Sequence, residues 1–349
     1  MLCRASSRSA VAVVALALAV AAFAPSASAL PAYEFATPIF GLAARGDVLL
    51  VADAGAGVVR LGAVEGRLAV ELPGVTDVAP LLHGRMWALT SANHDRKLYR
   101  IVDRTPHVVA NIGAFERAVN PDEGEIDSNP FDLAKLGGGQ VLVADAAANA
   151  LLIANRDGEV DWVATLPEEV VSTANAKDLA GCPDAPPELA DICDLPEAIP
   201  AQAVTTSVAV GPDGAYYLTE LKGFPAPLGE SRIWRIEPDT RHVRCDAAAV
   251  DSPCSVVADG FTSIIDLNFG PDGTAHVVEF DEASWFAVEV APDAMAGGTV
   301  DACDPTTWSC AAEATGLQMP TAVAINGSGV AFAAVSALVP GEAEVIELP

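Results

Sequence analysis

One short unit recurs along this chain and limits what it can fold into. It is an apolar run, a glycine-bearing reversal, a second apolar run, and then a polar or acidic residue. The clearest copies are SVAVGPDGAYYLTE from Ser207 and DLNFGPDGTAHVVEF from Asp266. Copies with other reversals start at Gly41 and Asp132, and weaker ones at Asp77 and Ala322, which makes six. In Pro212-Asp213-Gly214 and Pro271-Asp272-Gly273, proline fixes φ and glycine accepts a positive φ, so each presets a tight turn. The flanking runs are β-branched and aromatic and too short for helices. With its insertions each unit spans roughly 40–55 residues, the length of a four-stranded blade. A lone blade covers neither of its faces. Blades stacked around an axis cover both and leave only short edges. The pattern therefore predicts an all-β chain folded as a six-bladed β-propeller.

The last unit supplies three strands, and residues 33–36 supply an orphan strand before the first unit. That N-terminal strand is expected to complete the last blade and close the ring. The stretch 167–202 has too few apolar residues for its own core and reads as an insertion between the third and fourth blades, with a short helix in EEVVSTANAKDLA. The propeller domain is expected over 30–349.

Residues 1–29 read as a cleaved secretory signal: Arg4 and Arg8 are followed by an apolar run over 10–24 and by Ala27-Ser28-Ala29. The apolar run is too short to span a bilayer, so no membrane insertion is expected after cleavage, and the protein is expected to be secreted or periplasmic. Six cysteines lie beyond that segment: Cys182, Cys193, Cys245, Cys254, Cys303 and Cys310. Export favours disulfides, and pairing neighbours (182 with 193, 245 with 254, 303 with 310) needs the least rearrangement. No C-x2-C spacing supports zinc. The net charge of -28 repels phosphate backbones and anionic headgroups, which argues against nucleic-acid and membrane-surface partners. A monomer is expected, with a small molecule or protein as ligand on one face.

Several segments together resemble the ScyD/ScyE family, exported bacterial propellers with NHL- and lactonase-like repeats. They are NPDEGEIDSNPFDLA from Asn120, VLVADAAANALL from Val141, TTSVAVGPDGAYYLTELKGFPAPLGESRIWRI from Thr205 and GFTSIIDLNFGPDGTAHVVEF from Gly260. The resemblance implies fold and export and brings no established catalytic residue. Thr205-Thr206-Ser207 stands where members often carry Pro-Thr-Ser, and the last blade has Asn326-Gly327-Ser328-Gly329 in place of the Pro-Asp-Gly turn.

Aligning the units by their reversals yields two rings of residues. The first follows the second strands: Asp53, Ser91, Asp145, Glu220, Glu279 and Ser336. The second lies near the start of the first strands: Gly41, Asp77, Asp132, Ser207, Asp266 and Ala322. Acids at equivalent strand ends suit a cation, and calcium favours several hard oxygen ligands. They equally suit local capping of the turns that follow them. The candidate ligand-binding set at the axial channel is Asp127, Asn129, Asp132, Ser207, Glu220, Asp266 and Glu279, with Asp127, Asn129 and Asp266 as expected calcium ligands. No histidine has a partner spacing that marks catalysis, and GxSxG, GxGxxG, Walker A and HExxH motifs are absent. A non-catalytic binding or scaffold propeller is thus the leading expectation, and a calcium-dependent lactonase-like hydrolase the alternative.

Overall fold

The computed structural model describes residues 30, 32–62, 64–91 and 96–349. The expected signal segment and His94 lie outside the described residues. Blade 1 is β1 (Ile39–Arg45), β2 (Val48–Asp53), β3 (Gly57–Leu61) and β4 (Gly66–Glu71), paired in that order from the axis outward. Blade 2 repeats the meander with β5 (Val75–Pro80), β6 (Met86–Thr90), β7 (Lys97–Val102) and β8 (Thr105–Asn111). Helix α1 (Ile112–Val119) then leads to blade 3, which is β9 (Pro130–Lys135), β10 (Gln140–Asp145), β11 (Ala150–Asn155) and β12 (Val160–Thr165). The insertion follows as a hairpin of β13 (Glu169–Ser172) and β14 (Ala198–Ala201) enclosing α2 (Ala174–Ala180) and α3 (Ala190–Cys193). Its helix starts later than the sequence pattern suggested, because the first residues pair as a strand.

Blade 4 is β15 (Thr205–Val210), β16 (Tyr216–Glu220), β17 (Ser231–Ile236) and, after the short β18 (Val243–Arg244), β19 (Cys254–Phe261). Strand β18 crosses to blade 3 and pairs in parallel with β12, so the outer edge of that blade is covered by its neighbour's loop. Blade 5 is β20 (Ile264–Phe269), β21 (Ala275–Glu279), β22 (Gly298–Cys303) and β23 (Cys310–Leu317), with helix α4 (Trp285–Val290) between β21 and β22. Blade 6 is β24 (Ala322–Ile325), β25 (Ala331–Val335) and β26 (Glu344–Glu347).

The first strands touch in a closed circuit, β1 to β5, β9, β15, β20, β24 and back to β1. Six blades around one axis are therefore what the repeat forms. The closure itself differs from expectation. Residues 33–36 form no strand, and the sheet of blade 6 has three strands. Instead Phe35 is buried, with Tyr33 and Leu30 packed beside it, in an apolar seam made by Ile39, Leu42, Val51 and Leu61 of blade 1 and Ala322, Phe332 and Val345 of blade 6. The alternation of Tyr33 and Phe35 directs both rings into this seam. The backbone N–H of Ala36 goes to the Asp53 carboxylate at 2.7 Å, not to a strand of blade 6.

All three neighbouring cysteine pairs form disulfides, Cys182–Cys193, Cys245–Cys254 and Cys303–Cys310. Among the described residues no helix is long and apolar enough to cross a membrane.

In each antiparallel blade the first strand begins, and the second ends, on the same face, here called the upper face. The insertion, α1, the loop 221–230 and α4 all emerge there. The insertion is tied down by charge as well as by packing. Lys222 is fully buried, and its Nζ lies 3.2 Å from Glu220 and against Glu169 of β13. Arg232 reaches the same Glu169 at 2.6 Å. Asn175 of α2 donates to Ala226 O at 2.7 Å and to Ser284 Oγ at 2.9 Å, and Trp285 Nε1 donates to Lys222 O at 2.9 Å. Ala176, Ala226 and Phe286 close a small apolar core beneath. The loop at Phe224 is thus packed between α2 and α4. Removing one member of a buried ion pair typically costs about 3–5 kcal/mol, because the other is left desolvated. Lys222→Ala should lower the urea midpoint and open the insertion to protease cleavage within 167–202, read by mass spectrometry of timed digests. Unchanged digestion would show that packing alone holds this cap.

Candidate functional site along the propeller axis

The six aligned first-strand positions do converge on the axis. Four of them, Asp77, Asp132, Ser207 and Asp266, carry out one repeated act toward the next blade. The Asp77 carboxylate accepts the N–H of Leu133 at 3.2 Å, and Asp132 accepts that of Val208 at 2.7 Å. Ser207 Oγ accepts Leu267 N–H at 3.1 Å, and Asp266 accepts Val323 N–H at 2.7 Å. In every case the donor is the residue just after the equivalent position in the following blade. Ser207 Oγ also lies 2.7 Å from Asp132 Oδ2 and 2.9 Å from Asp266 Oδ1, its single proton serving one carboxylate at a time, which stitches three blades together.

A β-bulge makes this possible. The pairing register shifts at the start of the first strand in blades 1 to 5, between Ile39 and Gly41, Val75 and Asp77, and at the corresponding sites opposite Asp145, Glu220 and Glu279. An extra residue there re-aims the side chain that follows it. Blade 1 has glycine at the shared position because Asp77 occupies the space. A Cβ on Gly41 would lie 2.2 Å from Asp77 Oδ1 and 2.7 Å from Thr76 O.

The residue before each axial position alternates by blade. In blades 2, 4 and 6 it is Thr76, Thr206 or Thr321, whose hydroxyl donates to the carbonyl of Pro130, Ile264 or Ile39 in the next blade, at 3.1, 2.8 and 2.9 Å. In blades 1, 3 and 5 it is Phe40, Phe131 or Ile265, which face the channel. The Phe40 and Phe131 rings lie 5.5 Å apart across the channel. Below this apolar level is a cavity of about 250 Å³, lined among others by Asp77, Asp132, Asp266, Asn268, Phe269 and Lys135. The first strands line it along their length, from Phe40, Phe131 and Ile265 to Ala44, Lys135 and Ile325.

The remaining expected site residues are placed elsewhere. Asp127 is exposed, pairs with Arg96 at 2.8 Å and accepts Ser128 N–H; Asn129 Oδ1 accepts from Ser91 Oγ at 2.5 Å. Among the described residues no contact joins either of them to Asp266. The acids that end the second strands also stay apart, each in its own turn. Asp53 accepts from Ala36 and Gly55 N–H, and Asp145 from Ser128 Oγ, Asn129 N–H and Ala148 N–H. Glu279 accepts from Thr262 N–H and lies against Asp301, while Glu220 meets Lys222. Asp132, Ser207 and Asp266 are therefore brought together, and Asp127, Asn129, Glu220 and Glu279 are not. The alternating threonines were missed by sequence reasoning, although the same alignment read one residue earlier reveals them.

No protein-family model matches the sequence, and no curated protein matches it. Solved structures do. A Bacteroides thetaiotaomicron protein of unknown function matches 92% of this chain and 72% of its own at TM-score 0.56 and 10% identity. The PQQ-bound aldose sugar dehydrogenase of Streptomyces coelicolor matches 90% of this chain and 95% of its own at TM-score 0.55 and 12% identity. A gluconolactonase from Xanthomonas campestris matches 91% and 88% at TM-score 0.54 and 12% identity. At such identities the likeness is one of fold. This chain is a six-bladed β-propeller.

Burial and mutual repulsion set the charge state of the axial acids. Burial, then the neighbouring Asp132 charge, holds Asp77 well above the usual carboxylate range. Burial, again followed by the charge of Asp132, pushes Asp266 up to about 7. Burial pushes Asp145 to about 6, Glu220 to about 7 and Glu279 to about 8. A carboxyl with a raised pKa in the folded state holds a proton that the unfolded chain has released. Stability is then full below the unfolded value and falls as pH rises through the folded one, by about 1.4 kcal/mol per unit and per group. The urea midpoint should therefore be higher at pH 5 than at pH 8, with a flatter slope in Asp266→Asn. A midpoint that rises over this range would contradict the assignment. Separately, Gly41→Ala should destabilise by about 1–3 kcal/mol, the usual cost of overpacking, measured by urea denaturation at pH 6.

Proposed function

We propose that this chain is an exported, monomeric binding or scaffold propeller with no reaction of its own, whose axial cavity takes a small cation or a small hydrogen-bonding ligand. The observation that carries this reading is how the axial acids are used. Asp77, Asp132, Ser207 and Asp266 each accept a backbone N–H of the next blade, so the groups that a hydrolase would need to activate a water already hold the ring together. The three disulfides favour an oxidising compartment, which supports export. The segments around Asn120, Thr205 and Gly260 support membership of the ScyD/ScyE family.

Calcium belongs to this proposal as a ligand of the axial acids. Counting lone pairs, Asp132 Oδ2 accepts from Val208 and Asp266 Oδ1 from Leu267, the single Ser207 proton goes to one of these two oxygens, and Asp132 Oδ1 and Asp266 Oδ2 accept from Leu133 and Val323. One further acceptor position remains on Asp132 Oδ1 and one on Asp266 Oδ2. Among the described residues no set of three His, Cys, Asp or Glu side chains is arranged to hold a metal ion. Calcium takes six to eight oxygens, so an ion bound here would keep most of its water.

Thermal melts in millimolar calcium and in chelator, together with turnover of a lactone panel, test both halves. Calcium should raise the melting temperature of the wild type and not that of Asp132→Asn, by the mass action of a ligand that binds the native state. Lactone hydrolysis should not exceed the buffer rate. No calcium shift would remove the ion from the proposal. Calcium-dependent turnover that is lost in Asp266→Ala would replace it with the lactonase-like reading.

A further inference from the structure

The chain carries 19 Lys and Arg against 47 Asp and Glu, yet five of those cations, Arg45, Arg60, Arg67, Arg85 and Arg104, line one cavity. It lies off the axis, between blades 1 and 2 on the lower face, and measures about 310 Å³. Its floor is apolar: Val48, Leu50, Val70, Pro80, Met86 and Ile101. No carboxylate lines it. Asp47, Glu65 and Asp103 stand in the adjoining turns but are not part of its wall.

Arg45, Arg60 and Arg67 make no ion pair or hydrogen bond among the described residues. Arg85 and Arg104 use only Nε, toward Leu82 O at 3.3 Å and Ala69 O at 3.0 Å, so their terminal nitrogens have no partner among the described residues. Two local features run against stability. Arg60 and Arg67 stand directly opposite each other in the β3–β4 register, where like charges repel. Asp103 and Arg104 are consecutive residues at φ 49 and 65, the left-handed conformation of a two-residue hairpin turn, whose second place glycine usually fills. Arg104 holds that place and spans the blade boundary to Ala69. A protein that is otherwise strongly acidic thus gathers unpaired guanidinium groups over a greasy floor. That arrangement suits an occupant bearing the opposite charge on an apolar body.

We propose that this inter-blade cavity binds a small organic anion, an aromatic or branched apolar body carrying one carboxylate, sulfate or phosphate group. The apolar part sits on Leu50, Val70, Met86 and Ile101, and the anionic group faces the arginines, where a guanidinium can pair with it in bidentate fashion. The cavity is at the small end of ligand sites, enough for a body of about two fused rings.

The test is calorimetric titration of 1-naphthyl phosphate into the full protein at low salt, with 1-naphthol and inorganic phosphate as separate probes. Arg60→Ala/Arg67→Ala is the variant. Arg100→Ala, whose guanidinium lies over Trp87 outside the cavity, is the control. Both variants are first shown to be folded by their thermal melts. The expected result is one saturable site for naphthyl phosphate, at least tenfold weaker in the double variant, unchanged in the control, and weakened by added salt. Naphthol and inorganic phosphate should each bind at least tenfold more weakly than the combined probe. Equal affinity in wild type and double variant, no saturable binding up to millimolar probe, or inorganic phosphate binding as tightly as the naphthyl ester would each overturn the assignment.

Discussion

The hydrogen bond from an axial side chain to the first-strand amide of the next blade is the contact on which the rest of this ring depends. Each first strand is the inner edge of its sheet and leaves alternate amides without a ladder partner, and a buried amide without a partner is costly. Asp77, Asp132, Ser207 and Asp266 satisfy four of them, each across a blade boundary. The acids are therefore not spare charge around a pore. They are the polar complement of apolar inter-blade clusters such as that of Leu142, Leu218 and Trp234. Collecting carboxyls on one axis has its own cost, seen in the raised pKa of Asp77 and Asp266. Ser207, a neutral donor placed between Asp132 and Asp266, relieves part of it.

Much of the architecture was legible in the sequence because it is written locally. Pro-Asp-Gly reversals, short β-branched runs and cysteines a few residues apart all form contacts between near neighbours, and the blades and disulfides follow from them. The axial position was legible too, since one alignment of the repeats places Asp77, Asp132, Ser207 and Asp266 in one column. What those residues do was not legible, because each partner lies a whole blade away and is a backbone amide with no sequence signature. The same holds for the Glu169–Lys222–Arg232 cluster, whose first two members are separated by 53 residues. Residues 33–36 form no strand for a physical reason: Tyr33 and Phe35 are extended chain whose rings fill an apolar seam between blades 1 and 6, so the segment closes the ring by packing and not by pairing.

The two faces of the ring are built differently. The upper face carries the long connections, and over blades 4 and 5 it is covered by α2, α4 and the loop at Phe224, which pack on one another. At that level the channel is narrowed by Phe40 and Phe131. The lower face carries mostly short turns apart from the 237–253 connection of blade 4, and the basic cavity between blades 1 and 2 lies there.

Hydrogen exchange at single-residue resolution, followed on the native protein, tests the central claim most directly. If the axial side chains lock the ring, the amides of Leu133, Val208, Leu267 and Val323 open only when the whole propeller unfolds. They should then exchange as slowly as ladder amides in β10 and β16, with the same dependence on denaturant. Fast exchange at these four amides, independent of denaturant while the ladders stay protected, would contradict the account: the belt would then be a consequence of the ring and not what closes it.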